Sequence, residues 1–314
     1  MASMQTADHN ANSNQTAERV QVLDANRCLL MPCHWSRAKK LLKQGRAAVF
    51  RTRPFTIILK DRTYEDSEVQ PALLGRHFKK ADCRFKCACF DLDGTLCDSI
   101  ALCLEMFIQA LAPCCGFELS AQQVIEHFGL NEEGIIKRLA GPEQAAPALQ
   151  RFYALYAQNL EQGRLTPFAG VPELIKALHD KGVLLFVITG KGRVTTDLTL
   201  KSWGLEPYLL ESRCGGELQL NKAAHLRELA AKYGLKCREM VYVGDAVSDF
   251  EACARTGVPC ISALWQPGQD QQSAAYLREH NPGWCFSRFD KAARYLLSHC
   301  SAPQQQAPEL LKAH

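Results

Sequence analysis

Short apolar runs alternate with helix-periodic stretches from residue 85 onward, and nothing else restricts the fold of this 314-residue chain as strongly. The runs cover residues 85–92, 183–189, 240–245 and 259–265, with a weaker one near 208–212. A strand buried on both faces reads as a continuous apolar run, and parallel strands need long crossovers between them. The pattern therefore predicts an α/β fold with a doubly wound parallel sheet. Between the first two runs, residues 98–166 show only helical periodicity. IALCLEMFIQAL comes first, then AQQVIEHF behind the N-cap Ser120, EEGIIKRLA behind Asn131, and a longer segment over 144–161. That stretch is too long for a simple crossover and is expected to form a small all-helical cap.

Four motifs stand at the ends of the predicted strands, where open α/β sheets bind their ligands. The first is Phe90-Asp91-Leu92-Asp93-Gly94-Thr95. Carboxylates spaced i, i+2 in an extended chain point the same way, and they repel unless a cation or a shared task offsets the cost. Gly94 allows a sharp turn that brings backbone amides near an anion. On this reading Asp91 is a nucleophile and Asp93 a general acid, later a base for water. The plain alternative is an Asx turn closing a strand. The second motif, Thr189-Gly190, can offer a hydroxyl and an amide to a phosphoryl oxygen, although Thr-Gly also closes strands as a mere turn. The third is Lys222 at a helix start, a position the macrodipole disfavours without an anionic partner. The fourth places Asp245 at a strand end and Asp249 one helical turn later, so that both carboxylates can reach one point. Few carboxylates together with substrate oxygens and water are the ligand set that Mg²⁺ prefers.

Together these motifs resemble those of the haloacid dehalogenase (HAD) superfamily over roughly residues 85–300. The helical insert looks like the C1-type cap of its phosphoglycolate-phosphatase-like members. TPFAGVPELIKALHDKGVLLFVITGKG and YVGDAVSDFEACARTGVPCISALW are similar to that group almost throughout. The resemblance implies a Rossmannoid catalytic core over 85–97 and 167–300, the cap over 98–166, and a Mg²⁺-dependent phosphatase forming an aspartyl-phosphate at Asp91. Mg²⁺ would be held by Asp91, the carbonyl of Asp93 and Asp245, with Asp249 in support. Thr189, Lys222 and the backbone of Gly94, Thr95 and Gly190 would hold the phosphoryl group. Lys191 and Arg193 are candidates for an acidic group of a small phosphorylated metabolite, phosphoglycolate by likeness, or else a solvated helix start. The group has Pro after the motif lysine, whereas this chain has Ala223. The rival readings of the same core are a phosphatase acting on nucleic-acid ends that a tethered RNA-binding module presents, a phosphomutase, and an idle interaction domain.

Residues 18–72 are a separate matter. Arg37, Lys39, Lys40, Lys43, Arg46, Arg51, Arg53, Lys60 and Arg62 outnumber the acidic residues over 18–62. A strand over 21–23, a turn over 24–26, a helix between Ser36 as N-cap and Gly45 as stop, and two strands about Pro54 form a small basic α+β module. Leu29-Leu30-Met31-Pro32, RAKKLLKQGRAAVFRTRPFTIILKDR and EDSEVQP resemble the PLMP (RRXRR) module of transposon-encoded RNA-guided nucleases. No nuclease signature follows. What that likeness still implies is RNA binding through a basic, phosphate-contacting footprint over 18–62, the alternative being a fused unit with a solvated basic face.

Composition sets the remaining bounds. Apolar residues make up 47% and charged residues 22% of the chain, as in globular proteins, and no apolar run is long enough to span a bilayer. The polar stretches 1–17 and 301–314 are expected to be tails, and 73–84 a linker. The opening lacks the apolar core of a secretory signal. Fifteen scattered cysteines without such a signal suit a reducing cytoplasm, as small buried hydrophobes. Zinc at Cys83, Cys87 and Cys89 is disfavoured, because the last two lie in a buried strand. No feature sets an oligomeric state.

Overall fold

The basic N-terminal unit folds as a four-stranded mixed sheet carrying one helix. The strands are β1 (Arg19–Leu23), β2 (Leu29–His34), β3 (Ala47–Thr52) and β4 (Phe55–Leu59), in the order β2-β1-β4-β3, with β1 parallel to β4 and the other pairs antiparallel. The helix α1 (Trp35–Lys43) closes one face, and Val20, Val22, Ala38, Ala47, Ile57 and Leu59 form the small core between them. The computed structural model describes residues 19–23, 29–52, 55–60, 80–114, 119–218 and 221–303. The expected tail over 1–17, the turn over 24–26, the end of the basic module over 61–72, the linker over 73–84 as far as residue 79, and the polar tail over 301–314 from residue 304 lie outside the described residues. Contrary to expectation, His34 and not Ser36 caps α1. Its ring nitrogen accepts from the Ser36 N–H at 3.3 Å, which puts Ser36 inside the first turn. The strand over 29–34 was not expected, since its Pro32 and Cys33 carry little strand signal.

From residue 85 the chain builds a six-stranded sheet in which every pair is parallel. In chain order its strands are β5 (Cys87–Phe90), β6 (Leu184–Ile188), β7 (Glu211–Arg213), β8 (Met240–Gly244), β9 (Cys260–Ala263) and β10 (Cys285–Phe286). Across the sheet they lie β10-β9-β8-β5-β6-β7. The chain order reverses between β5 and β8, so a crevice opens beyond the carboxyl ends of those two strands. Alternation along each strand feeds two cores. Ala88, Phe90, Leu185, Val187, Val241 and Val243 pack on one face, and Cys87, Cys89, Leu184, Phe186, Met240 and Tyr242 on the other. The strands are shorter than the apolar runs that announced them, at β5 and β8 because the chain turns at Asp91 and Asp245, and elsewhere because apolar residues past the last ladder bond still lie in the core. The two-residue β10 was too short to be legible.

Between β5 and β6 stand the helices α2 (Ile100–Leu111), α3 (Ala121–Ile125) and α4 (Glu132–Glu161), then α5 (Val171–Asp180) beside the sheet. Ser120 caps α3 in a capping box with Gln123, and Asn131 caps α4 by accepting from the Gly134 N–H at 3.0 Å. The helix α4 breaks at Gly141, whose φ of 75 leaves the helical region just before Pro142. Phe107, Phe152 and Tyr156 centre a third core within these helices. The rest of the layer around the sheet comprises α6 (Arg193–Ser202), α7 (Lys222–Lys232), α8 (Val247–Thr256), α9 (Gln271–His280) and α10 (Phe289–His299). No helix among the described residues is long and apolar enough to cross a membrane.

Candidate active site

The parallel pairing of β6, β5 and β8 brings Thr189, Asp91 and Asp245, each the residue just past its strand, to one rim of the sheet. Lys222 opens α7 and Asp249 sits in the first turn of α8, and both reach the same point. The Lys222 ammonium lies 3.0 Å from Asp91 Oδ2 and 2.6 Å from Asp249 Oδ1. Burial alone would favour a neutral lysine, but Asp249 and Asp91 outweigh it and hold the ammonium well above the usual lysine range. Asp249 also accepts from Tyr242 at 3.1 Å and from the Ala246 N–H at 3.1 Å, so its carboxylate is fully engaged within the protein. It orients Lys222 while standing in the same acidic cluster as Asp91 and Asp245.

Asp91, Asp245 and Asp249 each have a carboxylate oxygen within 4.8 Å of the others. Burial pushes Asp91 up to about 7, with Lys222 opposing and Asp249 and Asp93 adding to it. Burial, reinforced by Asp91 and Asp249, raises Asp245 well above the carboxylate range. Asp91 Oδ1 is buried and accepts no hydrogen bond. Crowded acids and a bare buried oxygen are what a divalent cation would resolve, and the oxygen-only donor set suits Mg²⁺. Thr95 donates to Asp245 Oδ1 at 3.3 Å and fixes its rotamer. Gly94, at φ 73, is required on two counts, since a side chain there would also run into Asp245 Oδ2 at 2.2 Å.

The amides that face this point differ in part from those expected. The Gly94 N–H donates to Cys97 and the Thr95 N–H to Leu92, so neither is open to a phosphoryl oxygen. Among the described residues the N–H groups of Leu92, Asp93 and Gly190 donate to no protein atom, and they line the loops after β5 and β6. The Thr189 hydroxyl accepts from the Lys191 N–H at 3.2 Å, which leaves its own proton free for a ligand.

Asp93 lies on the other side of the cavity mouth. Its Oδ1 accepts from Ser99 and pairs with Lys191 at 3.2 Å. Lys191 is only 5% exposed, lies 3.8 Å from Glu132 Oε1 and sits over the Tyr156 ring at 4.8 Å. Burial acts against its charge, but Asp93, Cys103, Tyr156 and Glu132 together hold it protonated. Lys191 is thus no solvated helix start. Arg193 is: its guanidinium lies on Ser212 and Asp197, away from the cavity. Glu132 went unnoticed in the sequence. It is buried at the start of α4, where it accepts from the Gly192 N–H and, at 2.6 Å, from Thr195, tying the helical insert to the loop after β6. An acidic residue behind an N-cap is so ordinary that no sequence signal marks it. These groups enclose a cavity of about 180 Å³, with Asp91, Asp93, Asp245 and Lys191 at one end and side chains of the insert at the other.

The family model of haloacid dehalogenase-like hydrolases matches residues 88–263, more than half of the chain and the stretch that carries every one of these groups. The chain belongs to this family. Among similar members of the HAD family, the phosphoglycolate phosphatase of Mannheimia succiniciproducens is 27% identical over 223 residues, covering 66% of this chain and 96% of that protein. The phosphoglycolate phosphatase of Xylella fastidiosa strain 9a5c is 31% identical over 186 residues, 56% of this chain and 79% of that one. The crystal structure of a predicted phosphoglycolate phosphatase from Haemophilus somnus 129pt superposes with a TM-score of 0.56 at 23% identity, over 67% of this chain and 97% of that one. At that identity the likeness speaks for the HAD fold. Residues 20–77 match the RRXRR protein model, in agreement with the separate basic unit read from the sequence.

Proposed function

We propose that this HAD-type phosphatase hydrolyses a small phosphomonoester through an aspartyl-phosphate at Asp91. The observation that carries the reading is the state of that carboxylate. One oxygen is held by Lys222 at 3.0 Å, while the other is buried and bare at the acidic end of the cavity. In the first half-reaction an Asp91 oxygen attacks phosphorus, the ester P–O bond breaks, and Asp93 gives its proton to the departing alcohol. In the second, water attacks the same phosphorus, Asp93 takes the water proton, and inorganic phosphate leaves with Asp91 restored. Lys222 offsets charge on the transferring group. The Thr189 hydroxyl and the amides of Leu92, Asp93 and Gly190 can receive its oxygens. Mg²⁺, held by Asp91 and Asp245, would supply neutralising charge for the phosphoryl oxygens.

Phosphate release from a panel of phosphomonoesters, with and without Mg²⁺, tests this in wild type and Asp91→Asn. Metal-dependent release that the substitution abolishes supports it. Full turnover by Asp91→Asn would sink it. Transfer of phosphate to a second hydroxyl without release of free phosphate would identify a mutase instead. Phosphoglycolate enters the panel because similar proteins carry its name, and the free thiols of every described cysteine favour a cytoplasmic setting.

A second reading concerns the basic unit. The helix α1 carries Arg37, Lys39, Lys40 and Lys43, all exposed, and no acidic residue. Like charges three and four positions apart weaken a helix unless an anion lies against them, and RNA is such an anion. We infer that this face binds structured RNA.

A further inference from the structure

We propose that the phosphomonoester taken by this site carries an uncharged, apolar group on its ester oxygen, so that phosphate is its one anionic part. The inference rests on the phosphatase reading above and narrows it. Beyond the acidic end, the cavity is walled by Ile100 and Phe107 of α2, Phe128 and Leu130 of the loop between α3 and α4, and Ile135 and Phe152 of α4. This wall lies directly beyond the acidic end, so a group on the ester oxygen would meet it first.

The polar groups of the wall are already committed. Asn131 accepts from the Gly134 N–H at 3.0 Å and donates to the Gly215 carbonyl at 3.3 Å. Both Glu132 oxygens are taken, by the Gly192 N–H and the Thr195 hydroxyl. Lys191, the cation lining the cavity, lies 3.2 Å from Asp93 and 3.8 Å from Glu132. Glu132 already faces this ammonium, and Asp93 becomes a carboxylate beside it on giving up its proton, so a carboxylate on the substrate would compete with both for one positive charge. Lys222 is claimed by Asp91 and Asp249. Arg193 turns to Ser212 and Asp197. A second anionic group would thus enter an apolar, partly dry wall with no cation to receive it, and a desolvated charge without a partner binds poorly. An alkyl or aryl group would meet side chains it can pack against.

The test compares phosphoglycolate with isobutyl phosphate, which replaces the carboxylate by an isopropyl group of similar shape, and with benzyl phosphate and p-nitrophenyl phosphate. Turnover is measured on the full-length protein with Mg²⁺. We expect kcat/KM for isobutyl or benzyl phosphate to exceed that for phosphoglycolate at least about tenfold, a difference that one mismatched buried group readily makes. Phe128→Arg, at a half-exposed loop position on the wall, should move the ratio toward phosphoglycolate by a similar factor. Equal or faster turnover of phosphoglycolate by the wild type would overturn the inference and leave the phosphatase reading standing. A ratio untouched by Phe128→Arg would also overturn it, because the wall would then not face the ester group. Release from none of the four esters would sink the phosphatase reading, and the inference with it.

Discussion

Lys222 holds one oxygen of Asp91, while the other is buried and accepts no hydrogen bond. Burial lifts this carboxyl from its ordinary 3.8 to about 7. A carboxyl raised on folding keeps its proton more tightly in the native state. It therefore stabilises the fold at low pH, and that contribution is lost as pH rises through the folded value. In the metal-free protein the thermal midpoint should accordingly fall between about pH 4 and pH 7, and Asp91→Asn should flatten that slope. Added Mg²⁺ should raise the midpoint at about pH 7.5 more than at about pH 5, because metal binding needs the carboxylate deprotonated. Equal slopes for wild type and variant would contradict the account. At the same scale, Asp93→Asn should lower kcat by roughly 10²–10⁴ while leaving the fold intact by circular dichroism. Gly215 has a quieter role. A side chain there would meet the Gly190 carbonyl at 2.1 Å, so Gly215→Ala must displace the loop that presents the Gly190 amide. Its kcat/KM should fall about a hundredfold, as small misplacements of a site do. The acids were legible in the sequence because their spacing repeats a strand-end chemistry. Gly215 was not, because its constraint comes from a loop distant in the chain.

At the level of elements, the insert and the sheet layer meet where the start of α4 touches the loop after β6. Glu132 is a buried, charged link there, with Lys191, Gly192 and Thr195 around it, beside the Asn131–Gly215 and Tyr156–Thr199 contacts. Glu132→Ala would leave a buried amide, hydroxyl and ammonium short of a partner, at a cost of about 3 kcal/mol read from urea midpoints. Amide hydrogen exchange over 131–136 and 190–196 should quicken in step, and a variant as protected as the wild type would show that the insert is held elsewhere. Caps made by short polar side chains were readable, as Ser120 and Asn131 show. At α1 the same rule pointed to Ser36, and the ring of His34 took the position instead. Strand ends were overestimated wherever an acidic residue follows the apolar run, since hydrophobicity marks burial and not hydrogen-bond pairing.

For the whole molecule, the chain joins two units of different character. One has a large sheet with cores on both faces, and the other, among the described residues, a small core about Val20, Ala38 and Ile57 under an exposed basic helix. If α1 contacts RNA phosphates, binding of a structured RNA should weaken steeply with salt. Replacing Arg37, Lys39, Lys40 and Lys43 by Glu should lower the logarithmic salt slope by about one unit for each phosphate no longer neutralised. Phosphate release by that variant should stay within about twofold of wild type, surface charge changes far from chemistry being nearly neutral. Anisotropy titrations that give the same affinity for both proteins would dismiss the RNA reading.

The sequence alone determined the class of fold, the sheet's position along the chain, the helical insert and the acids that end β5 and β8. Those features follow from local periodicity, turn chemistry and short spacing, which any few residues display by themselves. The tertiary structure alone decided which amides stay open, that Asp249 touches Lys222, that Lys191 is enclosed between Asp93 and Glu132, and that the far wall of the cavity is apolar. Each of these is a contact between segments far apart in the chain, and the strand order that brings them together leaves no mark on local pattern.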